Sequence, residues 1–391
     1  MCSMSKKEEE EVVFDLPEDV VVKILCRLPV KSLLRFTCVS KRWHSIISDS
    51  KFARSTFEVA SQTRTLRPRL LFATYPYYRS WDPRFEYERS LFECFGDTDI
   101  SRLERNPLCQ SLTPPPGVYM ERVLASCNGL VVLGKTSYTN LSVWNPSTGF
   151  FRKIPSPGFR LDLEDGTFPI TFAFGHVMAI DDYKLVFFVP EDFAVHIFST
   201  RDGSWKVITF PHSSFPCRDD GEDLLVSNGA IHWVSTGIPE AISAFDLVSE
   251  EFRQLPLPPA LIKSILNVEP VEDRDPRRIW TQVLVGGRLC VRSHNEYWVM
   301  KQYAVPESWV KMFQFSVADM PNVFASEYVY PAFVTEGGTV VMLSGMWLAR
   351  IECHNEGKPV CSSRYQIKSV HVKKDMYRSG VMVYDETLLS L

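Results

Sequence analysis

A chain of 391 residues with 45% hydrophobic side chains has material for a sizeable core, and its net charge of −4 lacks the basic surplus that phosphate binding demands, which argues against nucleic acid as a main ligand. Ten cysteines are too sparse for a disulfide scaffold. No stretch reaches the roughly eighteen apolar residues that cross a bilayer, and the N-terminus lacks the apolar core of a signal peptide, so a soluble protein of the cytoplasm or nucleus with no membrane partner is expected.

Residues 1–14 read as a charged, solvated tail. Residues 15–57 then predict three short helices. Asp15 is a candidate N-cap, with Glu18 three residues on completing a capping-box-like pattern and Pro17 tolerable in the first turn. Val20, Val21, Ile24, Leu25 and Leu28 fall on one helical stripe. Pro29 breaks that helix, a second carries Leu33, Leu34 and Phe36, and a third after Ser40 lines up Val39, Trp43, Ile46 and Ile47. Cys26 and Cys38 lie on apolar stripes where reduced thiols pack well. The segment holds eight Lys/Arg against four acids, a surplus of +4 that leaves −8 elsewhere and suits an acidic partner. A unit near forty residues buries too little apolar surface to stand alone, so part of its stripe is expected to serve another protein.

From residue 58 onward the texture changes to short β-branched runs separated by Gly, Pro, Asn and Asp turns, an all-β signature. Asn128-Gly129 opens a run through Leu133, followed by Leu141–Gly149 and Phe151–Pro155. The same order recurs from Asn228-Gly229 through Trp233, Ala241–Leu247 and Phe252–Pro256. Asp182–Phe187, Val195–Phe198 and Ser204–Lys206 form a unit between them, and Gly286-Gly287 and Gly337-Gly338 begin two more. A period near fifty residues with four strands per unit is what propeller blades look like, with Trp144, Trp205, Trp233 and Trp298 packing blade against blade. An irregular pair of β-sandwiches is the alternative.

Signals for chemistry are weak. Gly129–Thr136 matches the phosphate-loop pattern letter for letter, but its middle is Leu-Val-Val-Leu, a strand with no helix after it. Cys353, His354 and Cys361 lack a fourth metal ligand and suitable spacing. His232, beside Trp233 in a strand, reads as a packed histidine. Asp181-Asp182 and the acids at 219, 220, 222 and 223 could form a glycosidase pair but sit in predicted turns and read as solvated loops. No cofactor is implied.

Leu16-Pro17, Ile24-Leu25-x-x-Leu28-Pro29, Leu33-Leu34 and Cys38-Val39-Ser40-Lys41-x-Trp43 closely resemble the F-box family. That resemblance implies docking on an SKP-type adaptor, and through it a cullin, with Leu16, Pro17, Val20, Ile24, Leu25, Leu28, Pro29, Leu33, Leu34, Val39 and Trp43 as adaptor-binding residues. Leu16 and Pro17 weigh towards contact, Trp43 and Ile46 towards core. The body, through Ser126–Leu130, Val143–Gly149, Asp182-Tyr183-Lys184, Asn228-Gly229-x-x-His232-Trp233 and Ala244–Leu247, resembles the F-box-associated interaction domain of a large plant family, of kelch-like propeller type. The expected fold is therefore α+β and multidomain: a three-helix F-box at 15–57 and a propeller-like substrate-binding domain at 58–391. The implied function is substrate recognition in an SCF-type ubiquitin ligase, with an unidentified protein target and no catalysis by this chain. A propeller enzyme such as a glycosidase with an accessory helical module, and an F-box adaptor acting outside ubiquitination, remain as alternatives.

Overall fold

The computed structural model describes residues 16–63, 65–76, 91–95, 109–113, 115, 117–118, 122–134, 140–158, 170–189, 193–209, 224–234, 241–266, 279–283, 287–293, 296–314, 330–334, 339–344, 347–352, 360–366 and 377–391. The chain divides into two compact units, one ending at Leu66 and the other Arg67–Leu391.

The described residues of the first unit are helical, with four helices among them where three are expected: α1 Glu18–Leu25, α2 Val30–Phe36, α3 Lys41–Ile47 and α4 Ser50–Gln62. The additional α4 runs across the boundary expected at residue 57. Asp49 caps it by accepting from Lys51 N, and Phe52, Ala53 and Thr56 on one side of it are buried. Pro17 and Pro29 stand at the N-caps of α1 and α2, so both prolines begin helices, and α1 has no side-chain cap. The capping role expected of Asp15 lies outside the described residues.

The second unit contains six four-stranded antiparallel sheets among the described residues. Blade 2 is β4 Arg122–Cys127, β5 Leu130–Gly134, β6 Ser142–Trp144 and β7 Phe151–Lys153. Blade 3 is β8 Thr171–Val177, β9 Asp182–Val189, β10 Ala194–Ser199 and β11 Ser204–Thr209. Blade 4 is β12 Leu225–Ser227, β13 Ala230–Val234, β14 Ala241–Asp246 and β15 Phe252–Pro256. After the helix α5 Pro259–Leu266, blade 5 is β16 Ile279–Val283, β17 Leu289–Ser293, β18 Glu296–Met300 and β19 Trp309–Gln314. Blade 6 is β20 Tyr330–Val334, β21 Thr339–Ser344, β22 Trp347–Glu352 and β23 Val360–Gln366. Blade 1 joins the two ends of the unit: β1 Pro68–Pro76, β2 Leu91–Phe95 and β3 Cys109–Leu112 are completed by β24 Tyr377–Asp385, paired with β1 from Pro68↔Asp385 to Pro76↔Tyr377.

Alternation along the second strands explains the apolar runs seen in the sequence. In β5, Leu130 and Val132 face blade 3, while Val131 and Leu133 face blade 1. In β9, Leu185, Phe187 and Val189 face blade 2, while Val186 and Phe188 face blade 4. A strand covered on both faces has no polar phase, so its sequence does not alternate. Fourth strands lie at the rim instead, and β11 is mostly exposed or half-buried. Two rim tryptophans reach back to the preceding blade: Trp205 Nε1 donates to Pro155 O at 2.8 Å and Trp309 Nε1 to Pro256 O at 3.0 Å.

The Asn-Gly pairs do not begin blades. Each forms the hairpin between first and second strands, with positive φ at Asn128, Gly129, Asn228 and Gly229, the backbone such two-residue hairpins require. Gly286, Gly337 and Gly338 lie outside the described residues. Third and fourth strands are joined by a recurring polar turn: Asn145 Oδ1 accepts from Ser147 N at 2.8 Å, and Asp246 Oδ1 from Val248 N at 2.8 Å and Ser249 N at 3.0 Å.

Candidate adaptor-docking site

In the helical unit Leu25 and Leu33 have no exposed surface, and Val21, Cys26, Val30, Ile47 and Phe52 are buried with them. Leu25 and Leu33 were grouped with the adaptor-binding residues in the sequence; they serve the core, because no surface is left for a partner to touch. The remaining candidates keep surface. Leu16 is 51%, Ile24 49% and Val39 60% exposed, and Pro17 is exposed as well. Val20, Leu28, Pro29, Leu34 and Trp43 are half-buried. Trp43 meets Phe36 edge-on with ring centroids 5.3 Å apart, so it packs and presents an edge at once.

Two expectations fail locally. Val39 is not on α3 but in the turn before it, where Ser40 caps α3 by accepting from Trp43 N at 3.1 Å. Cys38 in the same turn is exposed, whereas Cys26 is buried and accepts from Thr56 Oγ1 at 3.7 Å. One contributor was missed: Arg42 Nη2 donates to Leu16 O at 3.2 Å, tying the chain before α1 to the start of α3. A bond between residues 26 positions apart leaves no periodic trace in sequence. Lys23, Arg27, Lys31, Arg35 and Lys41 are exposed in the same unit as the exposed acids Glu18 and Asp19, the latter 3.7 Å from Lys23, so the balance of its described surface is basic.

The groups in the body that look suited to catalysis are engaged in packing. His232 is fully buried in β13, where burial pushes its imidazole down to about 4, and its Nε2 shares a hydrogen bond with Tyr303 Oη, 2.8 Å away. Tyr303 in turn accepts from Arg253 at 2.9 Å, and Arg253 pairs with Asp246 at 3.3 Å, a chain linking blades 4 and 5. Asp182 departs from the expected solvated turn. It is 2% exposed at the start of β9 and accepts from Ser199 Oγ at 2.7 Å, Thr200 Oγ1 at 3.0 Å and Arg201 N at 2.9 Å. Asp181 does lie in the turn and meets His176 at 3.1 Å. The acids at 219–223 lie outside the described residues, as do Cys353 and His354. Gly129–Gly134 is a hairpin turn and strand, not a phosphate loop; Lys135 and Thr136 are outside the described residues.

A small helical unit with exposed apolar residues, followed by a body of four-stranded blades in which the strand Tyr377–Asp385 pairs with the first, defines a chain of two units, one helical and one a β-propeller. Comparison with known families agrees. The F-box domain matches residues 13–55 and the F-box associated beta propeller domain residues 100–390, and the chain belongs to that propeller family. It is 26% identical over 360 residues to an F-box/kelch-repeat protein of Arabidopsis thaliana, covering 87% of this chain and 88% of the relative. It is 27% identical over 362 residues to the F-box protein CPR1 of the same plant, covering 84% and 79%.

Proposed function

We propose that this protein is the substrate-recognition subunit of an SCF-type ubiquitin ligase, docking on an SKP-type adaptor and through it a cullin, and presenting a target protein held by the propeller. The observation that carries the reading is the surface left by the helical unit. Leu16, Ile24 and Val39 stay half or more exposed in a module too small to bury its whole apolar stripe, in a chain whose remainder is a propeller. The chain acts without covalent chemistry of its own. Holding the target raises the effective concentration of its lysines near a ubiquitin-charged enzyme, which converts an encounter into a near-intramolecular reaction. Such a role places it in the cytoplasm or nucleus.

Co-purification of the full chain with an SKP-type adaptor tests the docking half. Changing Leu16→Ala and Pro17→Ala together removes exposed side chains and leaves the helical core untouched; central anchors of an interface cost about 2 kcal/mol or more on truncation. Loss of the adaptor with helices intact supports the reading, and full retention refutes the placement of the site. Affinity purification with and without a proteasome inhibitor tests the other half, through proteins enriched only when degradation is blocked.

A further inference from the structure

Residues 386–391, Glu-Thr-Leu-Leu-Ser-Leu, follow β24; Glu386 is held to the start of blade 1 and the residues after it to blade 2. Asn145, with no exposed surface, donates from Nδ2 to Thr387 O at 3.0 Å and to Leu389 O at 2.9 Å, while its Oδ1 accepts from Ser147 N. The Asn145 amide nitrogen carries two N–H donors and so serves both carbonyls at once, reading backbone two residues apart, as an extended strand presents it. Thr387, 2% exposed, donates from Oγ1 to Asn128 O at 3.0 Å. Glu386 meets Arg69 at 2.6 Å with both side chains largely buried. Leu388 and Leu389 are buried, Leu391 packs on the cluster between blades 2 and 3, and Ser390 alone is exposed. Gly129 makes room, since a Cβ there would overlap Asp385 O and Thr387 Oγ1.

Glu386 also donates from N to Arg67 O at 3.1 Å, one step beyond the Pro68↔Asp385 pair, so it continues the ring-closing ladder, and the contacts of residues 387–391 with blade 2 lie outside that ladder. We propose that blade 2 carries a peptide-binding cleft, built on Asn128, Gly129 and Asn145, that takes an extended segment of pattern acid-hydroxyl-Leu-Leu-x-Leu and is filled in cis by residues 386–391. The acidic position is read by Arg69, the hydroxyl by the Asn128 carbonyl, the backbone by Asn145 and the leucines by the blade surfaces; the fifth position is free. The segment thereby fastens blade 1 to blade 2 and reaches the edge of blade 3. This inference is independent of the adaptor-docking role.

The test is a chain ending at Asp385, which keeps β24, combined with a labelled synthetic peptide of sequence ETLLSL. The shortened protein should bind the peptide in trans. Asn145→Asp in the same protein should weaken binding at least tenfold, because a carboxylate repels the carbonyls it replaces a donor for, and a peptide with Ala in the fifth position should bind as well as the original. Hydrogen exchange across residues 122–145 should rise on truncation and fall again when peptide is added. If the shortened chain does not fold, peptide is supplied during refolding: recovery of the fold supports the cleft and no recovery overturns it. In the full-length protein, Asn145→Asp should expose the amides of 386–391 to exchange. Unchanged protection there, or a folded shortened chain that ignores the peptide, overturns the proposal.

Discussion

Gly129 and Gly229 occupy the same turn in two blades, follow the same Asn, and share a positive φ of 82° and 71°. An L-residue in that backbone region costs roughly 1–2 kcal/mol, so Gly229→Ala, whose Cβ would meet nothing within 4 Å, should cost about that and no more. The constraint at Gly229 is thus the backbone conformation of the tight turn, with no close approach beside it. Gly129→Ala carries the same conformational cost and a collision besides. Its Cβ would overlap the carbonyl of Asp385, which is backbone and fixed by the ladder to β1, as well as Oγ1 of Thr387, and would lie 3.0 Å from Thr387 Cγ2. Overpacking of that kind adds about 1–3 kcal/mol, for a total of about 2–5. Urea unfolding followed by tryptophan fluorescence measures both variants. Adding Thr387→Ala removes two of the three colliding atoms, so the double variant should be less destabilised than the sum of its single changes beside Gly129→Ala, and additive beside Gly229→Ala. Equal losses for the two glycines, or no coupling to Thr387, would refute the close-approach argument.

In the helical unit, Leu25→Ala empties a fully buried site and should cost about 2–5 kcal/mol, read as faster amide exchange in α1 and α2, whereas Leu16→Ala should leave exchange unchanged. Asp182→Ala removes the acceptor of three hydrogen bonds within blade 3 and should cost about 3 kcal/mol or more, checked by urea unfolding. His232 is held near 4 by burial against an ordinary 6.5, so the unfolded chain takes up its proton first as pH falls, and stability is lost between about 6.5 and 4, by at most about 3 kcal/mol. Asp385 works in the opposite sense: burial raises its carboxyl to about 6, so its contribution is present below the ordinary 3.8 and lost as pH rises through 6. His232→Gln should therefore flatten the acid limb of the stability profile and Asp385→Asn the limb between 4 and 6; unchanged profiles would show that neither group is shielded from water.

The propeller period was readable because second strands covered on both faces are unbroken apolar runs, and because the polar turn after the third strand repeats as Asn145 in blade 2 and Asp246 in blade 4. Closure of the ring by the strand around Val381–Tyr384 follows from the propeller reading and is what β24 does, but the partner strand β1 left no local repeat, since Arg69 and Glu386 meet across 317 positions. The docking candidates were legible as a stripe but not as a surface. Ile24 and Leu25 are neighbours with the same apolar signal, yet one is 49% exposed and the other has no exposure, a division set by tertiary packing that the local pattern does not carry. Asp182 misled for a related reason: an acid beside a turn looks solvated until the three donors that converge on it are in place.

The position of β24 in blade 1 governs how the chain is made. On the ribosome β1 emerges some 300 residues before its partner, and at about 5–20 residues per second that is a delay of roughly 15–60 s. Throughout that interval one edge of the nascent sheet, Pro68–Pro76, displays unpaired backbone donors and acceptors while blades 2 to 6 are still being synthesised. Closure cannot be shared out along the chain; it waits for the last strand. The fold therefore depends on holding that edge away from other chains during translation, and premature termination anywhere before Tyr377 leaves β1 with a permanently open side.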